Sequence, residues 1–247
     1  MSTYTYLITG ASRSLGLGYA RALLATRPEV RIVAAARNPA AASQLQALAN
    51  EEANKGRVYL LTLDVTDKES VKKTARELDE SGFLADGGLD ALVSNSGVNP
   101  CPQIKPSDVE PDDLLDNLQV NTFGVLNVTK HFLPLLRKGT GKQIFSVSSI
   151  CASLDAWGSN DTTTAYSMSK VALNMHQRKL ATELAPENFT VIVFHPGYVK
   201  TDMNDGEGEL TIEEAAEQAL KNVFLRDGLG PKDSGSFFRY SGEIIPW

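Results

Sequence analysis

The stretch Leu7-Ile-Thr-Gly-Ala-Ser-Arg-Ser-Leu-Gly-Leu-Gly18 joins an apolar run to a turn of small residues and then to a helical pattern. A strand, a glycine-containing turn and a helix start form the opening of a βαβ unit. Glycines let the backbone approach a ligand closely, and a helix N-terminus presents free N–H groups with partial positive charge. The alternative is an ordinary tight turn with close helix packing. We interpret the stretch as a site for a dinucleotide pyrophosphate, formed by Gly10, Ser12, Arg13, Ser14, Leu15 and Gly16.

The same alternation of strand and helix patterns continues along the chain. Strand-like apolar runs recur near residues 4–9, 30–36, 57–63, 89–94, 143–148, 190–195 and 236–240. Helical patterns lie near residues 15–26, 40–54, 67–80, 111–137, 163–185 and 211–225. Repeated βαβ units predict a parallel sheet covered by helices on both faces. We therefore expect one domain over residues 1–247, with the doubly wound α/β (Rossmann) fold and a parallel sheet of about seven strands.

The amino-acid composition and net charge indicate which kinds of molecule the protein binds. The chain has 247 residues, of which 42% are hydrophobic and 22% charged, and its net charge is −6. Without a Lys/Arg cluster, this charge argues against nucleic acid or an anionic membrane and favours a small molecule. No apolar run approaches the ~18 residues of a membrane span, and no signal peptide is evident, so we expect a cytoplasmic protein. The two cysteines, Cys101 and Cys151, form no C-x-x-C motif, and we expect no metal.

Two arginines bear on the type of dinucleotide. The second strand ends in Arg37, with no Asp or Glu at its tip to accept from a ribose 2′-hydroxyl, the feature that would select NAD. Arg13 in the glycine-containing turn and Arg37 are suited to bind a 2′-phosphate instead. The alternative for each is a solvated surface charge. We predict NADP(H) in preference to NAD(H).

Tyr166 and Lys170 lie four residues apart in a run with helical character, which places both side chains on one face of the helix. A lysine cation beside a tyrosine favours the phenolate and lowers its pKa from about 10. This predicts a pair that moves a proton, although the spacing also occurs by chance on solvated helices.

Taken together, the motifs resemble the short-chain dehydrogenase/reductase family in order and spacing. They are the glycine-containing turn, Ser94-Asn95-Ser96-Gly97, Asn121, Ser149, the Tyr166/Lys170 pair and Pro196-Gly197. The segments 170–203 and 235–247 look like the branch that contains C-factor, sniffer-type carbonyl reductases and fungal ketoreductases. The resemblance implies the strand order 3-2-1-4-5-6-7 and an NADPH-dependent reductase of ketones, aldehydes or quinones. An NADP-dependent alcohol dehydrogenase working oxidatively and a non-catalytic nucleotide-sensing regulator remain alternatives.

The resemblance also implies catalytic roles. Tyr166 would protonate the substrate carbonyl oxygen, and Lys170 would lower the tyrosine pKa and hold the nicotinamide ribose. Ser149 would donate a hydrogen bond to the same oxygen, with Ser148 and Ser153 as alternatives. Asn121 would hold a water that connects Lys170 to solvent.

The remaining expected site residues surround the cofactor and the substrate. Asn95, Ser96 and Gly97 would allow the adenosine ribose to approach, and Asp64-Val65 would contact the adenine, although Asp64 also suits an N-cap. The loop of Pro196, Gly197, Val199 and Thr201 would hold the nicotinamide. For an apolar substrate pocket we expect Ile104, Cys151, Trp157 and Met203. His131 and His176 are interpreted as helix-surface or packing residues, and His195 as a residue that lines the cofactor loop without doing chemistry. A homodimer or homotetramer is expected, since family members commonly pair through the helices holding Asn121 and Tyr166.

Overall fold

The computed structural model describes residues 3–84, 87–156, 158 and 161–247. Its centre is a parallel sheet in the order β3-β2-β1-β4-β5-β6-β7, which confirms the expected fold class and strand order. The strands are β1 (Tyr4–Thr9), β2 (Val30–Ala36), β3 (Val58–Thr62), β4 (Ala91–Ser94), β5 (Gln143–Val147), β6 (Thr190–His195) and β7 (Ser236–Arg239).

Seven α-helices connect the strands within this part of the chain. They are α1 (Ser14–Thr26), α2 (Ser43–Asn50), α3 (Lys68–Glu80), α4 (Pro111–Leu118), α5 (Val125–Lys138), α6 (Thr164–Leu184) and α7 (Ile212–Ala219).

Three helices differ from the periodicity-based expectation. The helix expected over residues 40–54 is the shorter α2, flanked by 3₁₀ turns at Pro39–Ala41 and Glu52–Asn54. The one expected over residues 111–137 is divided into α4 and α5 by a wider π-helical turn, Gln119–Gly124. A second π-helical turn, Leu220–Phe224, follows α7. Hydrophobic periodicity does not distinguish these turns from α-helix, because each turn is short compared with the window over which the periodicity is read.

The sheet is buried on both faces, which explains why its strands read as continuous apolar runs. Along β1, Tyr6 and Ile8 pack on one face with side chains of α1 and α7. Leu7 packs on the opposite face with side chains of α3 and α5. The two layers fix the carboxyl ends of the strands at one edge, where ligands bind in this fold.

Asp90, just before β4, anchors the opposite edge of the sheet. Its buried carboxylate accepts hydrogen bonds from the Thr5 N–H at 2.8 Å, the Thr140 N–H at 2.9 Å and the Gly141 N–H at 3.0 Å. A single side chain therefore connects β1 and β4 to the loop that enters β5.

We expect Asp90→Ala to lower the free energy of unfolding by about 3 kcal/mol or more, because it leaves three backbone donors without their acceptor. Urea denaturation measures this loss. Asp79→Ala is the control, since Asp79 forms a solvent-exposed ion pair with Lys138, and its removal should cost less than about 1 kcal/mol. Equal losses in the two variants would contradict the anchoring role.

Beyond β7 the chain turns back and covers the free side of that strand. The Arg239 N–H donates to the Glu243 carbonyl at 2.8 Å, and the Ile245 N–H donates to the Phe237 carbonyl at 2.7 Å. The Trp247 ring stacks on the buried Phe237 ring at a centroid distance of 5.4 Å. The aromatic end of the chain therefore packs onto the core. Within the described residues, no helix combines the length and apolarity needed to cross a membrane.

Candidate active site

The glycine-containing turn is held against the end of β4. Gly10 has a φ of 66°, a backbone conformation that favours glycine. A Cβ on Gly16 would overlap the Gly10 carbonyl oxygen and lie 2.6 Å from Asn95 Nδ2. Thr9 Oγ1 accepts hydrogen bonds from the backbone N–H groups of Asn95 at 3.0 Å and Ser96 at 3.1 Å. Sequence reasoning missed Thr9, whose position as a hydroxyl residue immediately before the turn was the available indication.

A serine at the start of a helix can cap it, but Ser14 does not cap α1. Arg13 occupies the N-cap position and forms no side-chain cap hydrogen bond, and Ser14 is the first helical residue. Its φ is 48°, in the left-handed region that non-glycine residues rarely adopt. The N-terminal amides of α1 are thus not capped by the N-cap side chain, and the turn contains a strained serine.

We predict that Ser14→Gly raises the free energy of unfolding by about 0.5–1 kcal/mol, because it removes the Cβ that strains a positive φ. Thermal and urea denaturation measure the change. The matched control is Ser43→Gly, at the first residue of α2, where φ is not positive and the same substitution should destabilise by about 0.5–1 kcal/mol. A loss of stability in both variants would refute strain at Ser14.

Arg13 and Arg37 both lie beside the turn and are exposed. Arg37 follows β2 two residues after Ala35, whose carbonyl accepts a hydrogen bond from the Ala11 N–H at 3.0 Å. Arg13 also forms an ion pair with Asp202, in the loop after β6, at 3.4 Å, with both side chains 69% exposed. The sequence did not indicate this pairing, which joins two parts of the site that are far apart in the chain.

Asp64 forms a local turn and does not cap α3. Its Oδ1 accepts hydrogen bonds from the Thr66 N–H at 2.9 Å and the Thr66 hydroxyl at 2.7 Å. The N-cap is Asp67, which accepts from the Glu69 and Ser70 N–H groups. The capping alternative for Asp64 is therefore wrong. Val65 is buried against the π-helical turn, where a Cβ on Gly124 would lie 2.7 Å from Val65 Cγ2.

Among the three candidate serines, Ser149 is the one beside Tyr166. The Ser148 hydroxyl donates to Asn174 Oδ1 at 2.7 Å, and the Ser153 hydroxyl donates to the Pro246 carbonyl at 2.6 Å. Ser149 is close enough to Tyr166 to lower the pKa of its phenol, and the Ser149 Oγ accepts from the Cys151 N–H at 3.2 Å. Because the Cys151 N–H is itself a donor, this contact leaves the Ser149 hydroxyl proton available to another acceptor.

Burial determines the protonation of Tyr166 and Lys170. It raises the pKa of the Tyr166 phenol above its ordinary value, the Cys151 thiolate charge adds to this shift, and the hydrogen bond with Ser149 opposes it. The predicted lowering of the Tyr166 pKa by Lys170 is therefore wrong for this arrangement. Burial also lowers the pKa of Lys170 to about 8. Its Nζ donates to the Val147 carbonyl at 2.8 Å and lies 5.7 Å from the centroid of the Tyr166 ring.

Asn121 lies in the π-helical turn and joins three parts of the site. Its Oδ1 accepts from the Val98 N–H at 2.9 Å, and its Nδ2 donates to the Val98 carbonyl at 2.9 Å and the Ser169 hydroxyl at 3.0 Å. A Cβ on Gly97 would lie 3.3 Å from Asn121 Oδ1 and 3.6 Å from Lys170 Nζ. The structure thus brings Gly97, Asn121 and Lys170 together.

The loop after β6 is organised by Asn204, which sequence reasoning missed. Asn204 Oδ1 accepts from both the N–H of Thr201 at 3.0 Å and its hydroxyl at 2.9 Å, and Nδ2 donates to the Val199 carbonyl at 3.0 Å. Gly197, after the buried Pro196, has a φ of 94°, and a Cβ there would lie 2.7 Å from Leu210 Cδ1. The capping-box spacing of Thr201 and Asn204 was the available indication.

Three of the four expected pocket residues can be placed. Cys151 lies beside Ser149, Thr163 and Lys170, which lower the pKa of its thiol, while burial has the larger effect and raises it. Ile104 is half-buried, and its carbonyl accepts from the Thr164 hydroxyl at 3.1 Å. Met203 is exposed in the loop after β6. Trp157 lies outside the described residues.

Histidine and metal chemistry find no support among the described residues. His195 is buried at the end of β6, and burial, with the charge of Arg239, lowers its pKa to about 4. It is therefore neutral at neutral pH and does not relay protons by titration. In the described ranges no group of three or more His, Cys, Asp or Glu side chains is arranged to hold a metal ion.

A doubly wound sheet with a glycine-containing turn after β1 and a Ser–Tyr–Lys group at the ends of β5 and α6 defines a class of dinucleotide-dependent oxidoreductases. Residues 4–210 match the family described as short chain dehydrogenase, and the chain belongs to this family. It is therefore an oxidoreductase acting on CH–OH/C=O groups.

Relatives and solved structures agree with this assignment. An uncharacterized oxidoreductase of Schizosaccharomyces pombe is 35% identical over 260 aligned positions, covering 98% of this chain and 97% of the relative. The carbonyl reductase Sniffer of D. melanogaster is 30% identical with a TM-score of 0.88, and NADPH-bound carbonyl reductase from chicken fatty liver is 29% identical with a TM-score of 0.88. Both structures align over 100% of each chain. The resemblance to the sniffer-type branch is confirmed.

Proposed function

We propose that this protein is an NADPH-dependent reductase of a small, apolar ketone, aldehyde or quinone, with Tyr166 as the proton donor. The observation that carries the proposal is the convergence of Ser149, Tyr166 and Lys170 at the carboxyl edge of the sheet. The NADPH-bound chicken carbonyl reductase, which has the same fold over its whole length, supports both the cofactor and the direction.

The residues at the edge of the sheet fit a dinucleotide. The turn from Gly10 to Gly16 leads into the N-terminus of α1, where no N-cap side chain forms a capping hydrogen bond, and this suits a pyrophosphate. Asn95, Ser96 and Gly97 border this turn, and Gly97 lies beside Lys170. Arg13 and Arg37 are suited to the 2′-phosphate, and Asp64 and Val65 to the adenine. We assign Ser12, Ser14 and Leu15 of the turn as further contacts of the pyrophosphate. On the nicotinamide side we assign Pro196, Gly197, Val199 and Thr201.

The chain's own groups perform the proton chemistry. When bound, NADPH supplies a hydride to the carbonyl carbon and leaves as NADP⁺. The Ser149 hydroxyl donates a hydrogen bond to the carbonyl oxygen, where negative charge develops. Tyr166 transfers its phenolic proton to that oxygen, which completes the alcohol. Because burial raises the Tyr166 pKa, the phenol is protonated at neutral pH and has a proton to give to the carbonyl oxygen.

Lys170 and Asn121 restore the proton that Tyr166 gives up. With a pKa of about 8, Lys170 is mostly protonated at neutral pH yet releases a proton more readily than a solvated lysine. Asn121 contacts Ser169, the neighbour of Lys170, and holds the widened helical turn through which we propose that a water reaches the lysine. The substrate contacts proposed are Ile104, Cys151, Trp157 and Met203.

The test is NADPH oxidation by the purified protein with a panel of apolar ketones, aldehydes and quinones, compared with NADH at equal concentration. Turnover with NADPH that falls in the Arg13→Ala and Arg37→Ala variants, while turnover with NADH stays unchanged, would support both the reaction and the cofactor preference. Turnover only in the alcohol-oxidising direction would replace the proposal with the dehydrogenase alternative. Cofactor binding without turnover in either direction would favour the regulator.

A homodimer or homotetramer is part of the proposal. Exposed apolar side chains occur on the helices that carry the site, namely Leu115 of α4, Phe123 of the π-helical turn, and Met168 and Met175 of α6. Light scattering of the wild type and of Met175→Glu tests this, since a monomeric wild type would contradict it. A cytoplasmic location stays a prediction, which fractionation of cells expressing the protein tests.

A further inference from the structure

We propose that residues 243–247 form a strap that positions the turn carrying Ser149 and Cys151, and that this strap thereby controls how the substrate carbonyl is held. The inference rests on the proposed function for its catalytic consequence, but its structural part stands on contacts alone. Here "the strap" means residues 243–247, and "the serine turn" means residues 149–153.

The strap is fixed to the core on one side. Its backbone pairs with β7 through the Arg239–Glu243 and Phe237–Ile245 hydrogen bonds, at 2.8 and 2.7 Å. In this pairing the side chains of Ile244 and Ile245 point to opposite sides of the strap. Ile245 is 3% exposed and Ile244 is 71% exposed. Trp247 stacks on Phe237 and holds the far end. The strap therefore covers the free side of β7, with one isoleucine directed inward.

On its other side the strap contacts the serine turn at two points. Ile245 forms a small apolar cluster with Val193 and Phe237, and Ile150, the residue after Ser149, packs against that cluster. The Pro246 carbonyl accepts the Ser153 hydroxyl at 2.6 Å, and the same hydroxyl oxygen accepts the Ala156 N–H at 2.9 Å. Ser153 is 1% exposed and Pro246 is exposed, so this hydrogen bond is partly buried.

The two residues that contact the strap, Ile150 and Ser153, lie on either side of Cys151 in the sequence, and Ile150 directly follows Ser149. Within the turn, the Ala152 N–H donates to the Ser149 carbonyl and the Cys151 N–H donates to the Ser149 hydroxyl oxygen. The opposite side of the turn is held by α6, where Asn174 contacts both Ser148 and Ala152. The serine turn is thus clamped between α6 and the strap, and a loose strap leaves Ser149 free to move from Tyr166. A displacement of about 1 Å in a catalytic group can lower a rate about a hundredfold.

The experiment compares Ile245→Ala with Ile244→Ala, adjacent residues of the same type of which only one is buried. The first readout needs no turnover: the iodoacetamide alkylation rates of Cys151 and Cys101 are measured in the same protein by peptide mapping. In Ile245→Ala we expect the ratio of the Cys151 rate to the Cys101 rate to rise about fivefold or more, because the half-buried thiol becomes accessible. Ile244→Ala should keep the wild-type ratio. General loosening of the fold would accelerate both cysteines together, which overturns the proposal.

Ser153→Ala and Ile245→Val remove fewer atoms from the same contacts, and they serve as the test if Ile245→Ala folds poorly. Ser153→Ala should raise the Cys151 ratio, and Ile245→Val should restore it nearly to the wild-type value. An unchanged ratio in both Ser153→Ala and Ile245→Ala would overturn the strap.

The second readout uses NADPH with menadione and with acetophenone. Positioning predicts a kcat/KM that falls about tenfold in Ile245→Ala, through a higher KM for the carbonyl compound as well as a lower kcat, while the NADPH dissociation constant stays within about twofold. A lower kcat with unchanged KM would indicate only a smaller folded fraction and would count against positioning. If the wild type reduces neither compound, the proposed function fails on its own, and the alkylation ratios still decide the strap.

Discussion

Replacing Tyr166 by phenylalanine should lower kcat for carbonyl reduction about 1000-fold while leaving the NADPH dissociation constant within about twofold of the wild-type value. The substitution removes only the phenolic hydroxyl, so the ring keeps its place on α6 beside Lys170. What disappears is the proton donor beside Ser149. Steady-state NADPH oxidation measures the first quantity, and cofactor fluorescence titration measures the second.

Tyr59→Phe is the matched control for this prediction. Tyr59 lies on β3, remote from Ser149 in the sheet order, and its ring contacts Phe83. The control removes the same atom and should leave kcat unchanged. If Tyr166→Phe kept wild-type turnover, Tyr166 would not be the proton donor, whatever the cofactor affinity. A large loss of NADPH affinity in Tyr166→Phe would instead assign the phenol chiefly to cofactor binding.

Gly16→Ala should weaken NADPH binding at least about a hundredfold, because the added methyl group displaces the backbone that cradles the pyrophosphate. The methyl would overlap the Gly10 carbonyl oxygen and lie 2.6 Å from Asn95 Nδ2. Asn95 Nδ2 donates to the Thr9 carbonyl at 3.0 Å, so the clash also disturbs the connection between β1 and β4. Isothermal titration with NADPH measures the affinity, and circular dichroism shows whether the fold is retained.

Gly230→Ala controls for the methyl group itself. Gly230 has an extended φ of −173°, and a Cβ there would have no neighbour within 4 Å, so affinity and stability should both be unchanged. Wild-type affinity in Gly16→Ala would show that the turn does not hold the dinucleotide. If Gly16→Ala is partly unfolded, the Kd for NADPH is measured at reduced temperature on the folded fraction. This separates a loss of binding from a loss of folding.

Much of the fold followed from local patterns in the sequence. Apolar runs separated by helical periodicity were sufficient to predict the parallel sheet, because a strand buried on both faces needs apolar residues at every position. The glycine-containing turn and the four-residue spacing of Tyr166 and Lys170 could also be read from the sequence, because both depend only on residues that are close in the chain. Periodicity could not show the π-helical turns, because they keep the same face of the helix buried.

Tertiary structure decided the features that depend on residues distant in sequence. The sequence left Ser148, Ser149 and Ser153 as alternatives, and their separate partners on α6 and on the strap distinguish them. The Ser153–Pro246 hydrogen bond spans 93 positions, and no local pattern predicts such a contact. The spacing of Tyr166 and Lys170 predicted a lowered tyrosine pKa, yet burial raises it, because desolvation depends on every element packed around the phenol. The sequence by itself determined the fold and the types of residue at the edge of the sheet. Only the packed structure decided their partners and their protonation, since both depend on distance and on exclusion of water.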